Sequence, residues 1–186
     1  MKKVDNVYEK RIISSFSEII ENESEGMPWR NIPLVRGILN DLNEAISLNL
    51  EGINGSDREL FCKRVLTDEL IPVYDVPRLA LELASYTKAC RELKTKLEAY
   101  VDTENITMDQ LEPMLGRHLK FDPVERTPEW EECIYDVESE CESILKDEPR
   151  GMGFCFPYWN TKTVVLASKG IEWNSPSRMN PGVIFD

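Results

Sequence analysis

Apolar residues recur at three- and four-residue steps along most of this chain, and nowhere do they alternate long enough to build a sheet. A period near 3.6 puts them on one face of a helix, so the chain must bury a set of helical stripes against one another. Val4, Val7, Tyr8, Ile12, Phe16, Ile19 and Ile20 form the first stripe, which should end in the polar run 21–26. Leu34, Val35, Ile38, Leu39, Leu42, Ala45 and Ile46 form the second, broken by Gly52 and Gly55.

Start and stop signals sharpen the reading. Ser56 followed by Glu59 reads as a capping box for a third helix, whose buried face is Leu60, Phe61, Val65 and Leu66. Pro72 favours an extended stretch over 71–76. Pro77 then opens the longest helix, expected to run to about Val101, with proline in a first turn that needs no donor. Thr107 and Gln110 form a second capping box for a short fifth helix that stops at Gly116. Thr127 caps a sixth helix with Pro128 at its first position and a stripe of Trp130, Cys133, Ile134, Val137, Cys141, Ile144 and Leu145. A seventh is expected from about Tyr158 to Lys169, closed by Gly170.

The expected fold is mainly α, a single-domain bundle of six or seven helices. Residues 1–150 form the helical body. Residues 151–186 form an aromatic C-terminal segment of the same domain, hinged at Gly151-Met152-Gly153 and packed on the body. At most, 152–156 and 183–185 pair as a short two-stranded element. A chain of 186 residues can bury such a core without disulfides or metals.

Charge narrows the function classes. The chain carries 34 acids and 22 bases, a formal charge of -12, which disfavours direct nucleic-acid binding. No apolar run is long enough to span a bilayer, so no membrane role is expected. The N-terminal stretch is charged throughout and lacks the apolar core of a signal peptide. Cys62, Cys90, Cys133, Cys141 and Cys155 are odd in number and contain no CxxC pair. They point to a reduced, cytoplasmic protein with no metal site and no cofactor.

Three features are candidate sites. Residues 121–149 hold 11 acids and 2 bases, three quarters of the net charge on about one sixth of the chain. Acids near a helix start complement its dipole, which accounts for Glu129, Glu131 and Glu132. Those further along repel one another at i,i+4. Glu132, Asp136, Glu138, Glu140 and Glu142 are therefore the candidate docking face for a basic protein surface, against the plainer reading of a solvated face. Second, Leu79, Leu83, Tyr86, Cys90, Leu93, Leu97 and Tyr100 step as a heptad seam. It reads either as the centre of an intramolecular bundle or as a homodimer interface through residues 79–100. Third, six of the sixteen aromatics fall in the last 33 residues, interleaved with Lys162, Lys169 and Arg178. Three bases are few for a nucleic-acid surface, and packing on the body explains the aromatics more simply.

Catalytic signals are sparse. His118 is the only histidine, and no GxSxG, GxxxxGK[ST], HExxH or GxGxxG occurs. The leading expectation is a non-enzymatic cytoplasmic interaction protein, regulatory or inhibitory, offering an acidic helical face to a basic partner. The alternative is a small-ligand binder or enzyme. Its pocket would lie between the body and the aromatic segment, at His118, Cys155, Tyr158 and Trp159.

Overall fold

Nine α-helices and three short 3-10 turns form the regular structure of the described residues, with no strand among them. Helix accounts for 69% of the structure. The computed structural model describes residues 7–102, 105–116 and 119–185. The helices are α1 (Val7–Ser24), α2 (Asn31–Ser47), α3 (Gly55–Thr67), α4 (Pro77–Ser85), α5 (Arg91–Val101), α6 (Met108–Met114), α7 (Pro128–Ile144), α8 (Cys155–Ser168) and α9 (Pro176–Met179). They gather into two compact units, and the chain enters each twice. Residues 1–73 and 79–94 make the first unit; residues 74–78 and 95–186 make the second.

In the first unit α1 lies along α2, and α3 packs on α2. The α2 stripe is buried as its spacing implies, through Val35, Ile38, Leu39, Leu42 and Ala45. The α1 stripe is only partly used. Ile19 is buried, but Val7 and Ile20 are exposed, and Val4 lies outside the described residues. Asn31, fully buried, ties three stretches of this unit together. Its Nδ2 donates to the carbonyls of Ile19 (3.2 Å) and Leu70 (2.7 Å). Its Oδ1 accepts from Asn22 Nδ2 at 2.9 Å. A buried amide is stable here because its hydrogen-bonding capacity is used.

The α3 cap differs from the expectation. Asn54 is the cap: its Oδ1 accepts from Ser56 N at 2.8 Å, and Asp57 Oδ2 accepts from Asn54 N at 2.7 Å. Gly55 already belongs to the helix, so the box sits two residues before Ser56/Glu59.

The expected helix over 77–101 is two helices. Tyr86 and Thr87 donate back to the carbonyls of Leu83 (3.1 Å) and Ala84 (3.4 Å). Thr87 is extended (φ -130°, ψ 131°), and its Oγ1 accepts from Ala89 N at 3.3 Å, starting a 3-10 turn over Lys88–Cys90. A threonine hydroxyl that caps the next turn competes with helix continuation. The heptad seam is cut at this point. Leu79, Leu83 and Cys90 are buried in the first unit, and Leu97 and Tyr100 in the second, so residues 79–100 do not form one continuous seam.

In the second unit Tyr100, Leu111 and Leu115 form a core, with Tyr74, Ile106 and Met108 against it. Tyr74 meets Tyr100 edge-on at 5.9 Å. The Thr107/Gln110 box opens α6, and Thr127 Oγ1 accepts from Trp130 N at 3.3 Å to open α7. α7 and α8 pack against each other. α8 starts at Cys155, three residues before the expected Tyr158. It closes at Gly170, whose φ of +80° favours a residue without a Cβ. The two short strands are absent among the described residues. Residues 152–154 form a turn that leads directly into α8, and 183–185 have no regular structure. Residues 73–75, expected to be extended, also form a turn.

Candidate functional site

α7 buries Trp130, Ile134, Val137 and Cys141 on its inner face. Its carboxylates then sort into two sets. Glu129, Glu132, Asp136 and Glu140 are exposed and follow one another at three- and four-residue steps along one line of the helix. None of them makes a hydrogen bond or ion pair with the described residues. The other acids do have partners. Glu131 is buried and accepts from Arg78 N at 2.5 Å. Glu142 is held by Arg150, with contacts at 2.5 and 3.1 Å. Glu138 is 6% exposed and pairs with Lys162 of α8. Glu138 therefore leaves the set of exposed docking candidates, and Glu142 is already paired with Arg150.

Under the exposed line lies a buried charge cluster. Lys162 is 8% exposed. Its ammonium sits 5.0 Å from the Trp130 ring centroid and 5.4 Å from that of Trp173, a cation–π arrangement on two indoles. Burial alone would lower the pKa of this lysine. Glu138, Asp75 and Glu125 outweigh burial and raise its pKa, so the ammonium is held charged. One ammonium cannot neutralise three carboxylates in a place poor in water. Two of the carboxyls move up: burial raises Glu138, against the pull of Lys162, and raises Glu125 to about 7.

The C-terminal segment is fastened to the residues just before α7. Trp173 Nε1 donates to Glu125 Oε1 at 2.7 Å. Asp122 Oδ2 accepts from Asn174 N (2.7 Å) and Asn174 Nδ2 (2.9 Å). Asn180 accepts from Lys120 N at 2.7 Å and donates to the Lys120 carbonyl at 2.9 Å. Lys162, grouped by the sequence with surface bases, is a core residue. The signal that could have shown it is its isolation: Lys162 is the only charged residue of α8 and lies beside the apolar run at 164–167.

Three of the four pocket candidates lie on one helix, α8. His118 lies outside the described residues. Cys155, Tyr158 and Trp159 share the first turns of α8 and are half-buried. Trp159 is packed edge-on between Phe156 (5.7 Å) and Phe185 (5.1 Å). A cleft of about 430 Å³ in this unit is lined instead by Ala99, Asp102, Asn105, Ile106, Gln110 and Met114. Burial raises the thiols of Cys62 and Cys141 to about 12, which makes them poor nucleophiles. Among the described residues no group of three or more His, Cys, Asp or Glu side chains is placed to hold a metal ion. No helix among them is long and apolar enough to cross a membrane. Compared with protein-family models, with curated proteins and with solved structures, the chain matches none.

Proposed function

We propose that this is a cytoplasmic, non-enzymatic interaction protein whose α7 presents a line of carboxylates to a basic protein surface. One observation carries the reading. Glu132, Asp136 and Glu140 stand four residues apart and unpaired, while Glu131, Glu138 and Glu142 on the other sides of α7 all have partners. Like charges at this spacing repel by a few tenths of a kcal/mol per pair, a cost without structural return. A basic partner would relieve it and would be steered toward it over a Debye length of about 8 Å at physiological salt.

The test is capture of a partner from the source cells by the full-length protein, then binding of that purified partner. Glu132→Gln, Asp136→Asn and Glu140→Gln together should slow association about tenfold at low salt and much less at high salt. The same change should leave stability equal or slightly raised. Neutralising Glu18, Glu21 and Glu23 on α1 removes equal charge elsewhere and should leave association nearly unchanged. Equal association rates for the wild type and the α7 variant would retire the acidic-face reading.

A further inference from the structure

We propose that the outer face of α8 pairs with the same face of a second copy of this chain, making a weak twofold dimer. The face lies in the second unit and is separate from the exposed carboxylates of α7. The inner side of α8 carries Lys162, Val165 and Leu166, all buried. Its outer side carries Phe156, Asn160, Val164 and Ala167, all exposed and spaced by four, four and three residues. Phe156 is 43% exposed and Val164 70%. The helix is thus apolar on both sides, where a surface helix ordinarily turns charge to solvent. In a chain with 30% charged residues, its 14 positions hold one charge, Lys162, and that one is buried.

The chain end widens the face. Trp159 meets Phe156 at 5.7 Å and Phe185 at 5.1 Å, both edge-on, so the 183–185 stretch lies beside the first turns of α8. Val183 and Ile184 of that stretch stand exposed, Ile184 at 91%, and residues 179–185 carry no charge.

Charge and symmetry select the occupant. A twofold contact sets a face on its own copy, so a face of one net sign meets that same sign. At a formal charge of -12 per copy, the exposed acids of α1 and α7 disfavour self-pairing there. The α8 face has no charge to bury, and its pattern is self-complementary. Phe156 and Val164 stand four residues to either side of Asn160, and the three form an i±4 ridge of the kind by which helices pack. With the twofold axis at Asn160 and the two helices oppositely directed, Phe156 of each copy lies against Val164 of the other, a large ring against a smaller branched chain. Ala167 then lies over the turn at Gly153, where both residues are small enough for close approach. The Asn160 amide both donates and accepts, so the two copies satisfy each other at the centre. One such buried amide pair also fixes the register.

The interface is small. A 14-residue helix about 21 Å long and a short chain end are modest beside the roughly 800 Å² per partner of a standard interface. A Kd on the order of 10–100 µM is expected.

Sedimentation equilibrium of the full-length protein, from about 1 µM to about 1 mM, tests this. A monomer–dimer equilibrium is expected, and it should tighten as salt rises, because screening weakens the repulsion between two acidic copies. Val164→Glu should raise the Kd at least about tenfold. It should keep the helical circular dichroism of the wild type, because position 164 faces solvent. Ile13→Glu adds the same charge at an exposed position of α1 and should leave the Kd nearly as it was. In oxidised glutathione, Asn160→Cys should form a disulfide-linked dimer faster than the wild type and faster than Ser17→Cys on α1. A monomer at every concentration would assign the face to a different protein and overturn the proposal. Growth beyond a dimer, an unchanged Kd in Val164→Glu, or linkage of Asn160→Cys no faster than that of Ser17→Cys would each overturn it as well.

Discussion

The indole N–H of Trp173 donates to Oε1 of Glu125 at 2.7 Å, and both side chains are buried. This contact holds the C-terminal segment to the turn before α7 and places a carboxyl where its charge is poorly solvated. Burial raises Glu125 to about 7, with Asp75 and Asp122 pushing the same way, while the Trp173 N–H and Lys162 pull it down.

Stability should therefore depend on pH through Glu125. The unfolded chain gives up this proton near its ordinary value of 4.5, and the folded protein keeps it to about 7. Between those values the folded state binds more protons. The stabilisation is complete below the lower value and is lost as pH rises through the upper one. The full effect is on the order of 3 kcal/mol. Glu125→Gln keeps an acceptor for Trp173 and removes the titration. Urea midpoints of wild type and variant, compared between about pH 5 and pH 8, should show a shallower decline in the variant. Parallel declines would mean that Glu125 is solvated.

Lys162 and Glu138 should stand or fall together. Lys162→Met leaves a buried carboxylate without its cation and should cost about 3–5 kcal/mol at neutral pH. Adding Glu138→Gln should recover a large part of that loss, because an apolar or neutral pair needs no charge compensation. Urea denaturation of the single and double variants measures the coupling. Losses that simply add would dissolve the pair into two independent contacts.

Asn31→Leu should cost about 2 kcal/mol or more. It keeps the branched shape but strands the carbonyl of Leu70 and the amide of Asn22, and removes a second donor from the carbonyl of Ile19. A loss below about half a kcal/mol would show that water reaches these groups.

Local chemistry was legible in the sequence, and tertiary choices were not. The Thr107/Gln110 box, the Thr127-Pro128 start and the Gly170 stop each depend on neighbours a few residues away, and each sits where the spacing put it. Thr87 was missed because heptad periodicity runs through it, although a hydroxyl at that place can cap instead of continue. Cap position was two residues off at α3, since Asn54 and Ser56 are both good caps and only geometry selects between them. The acidic helix shows the deeper limit. Seven carboxylates look alike in sequence, yet burial divides Glu131 and Glu138 from Glu132, Asp136 and Glu140. That division depends on Arg78 and Lys162, which are 53 and 24 residues away from their partners.

The excursion of residues 74–78 into the second unit has a consequence for how the chain is made. A ribosome releases Tyr74–Arg78 together with the first unit, which is complete in sequence once Lys94 has emerged. The helices that these five residues join come later, and at roughly 5–20 residues per second the last of them trails by on the order of ten seconds. Of the groups these residues meet in the finished protein, Tyr100 emerges soon after Lys94, while the Arg78 N–H waits longer for Glu131 on α7. Nor can the two units be parted by a single cut. A break after Lys94 leaves the second unit without its 74–78 segment, and a break after Val73 deprives the first of residues 79–94.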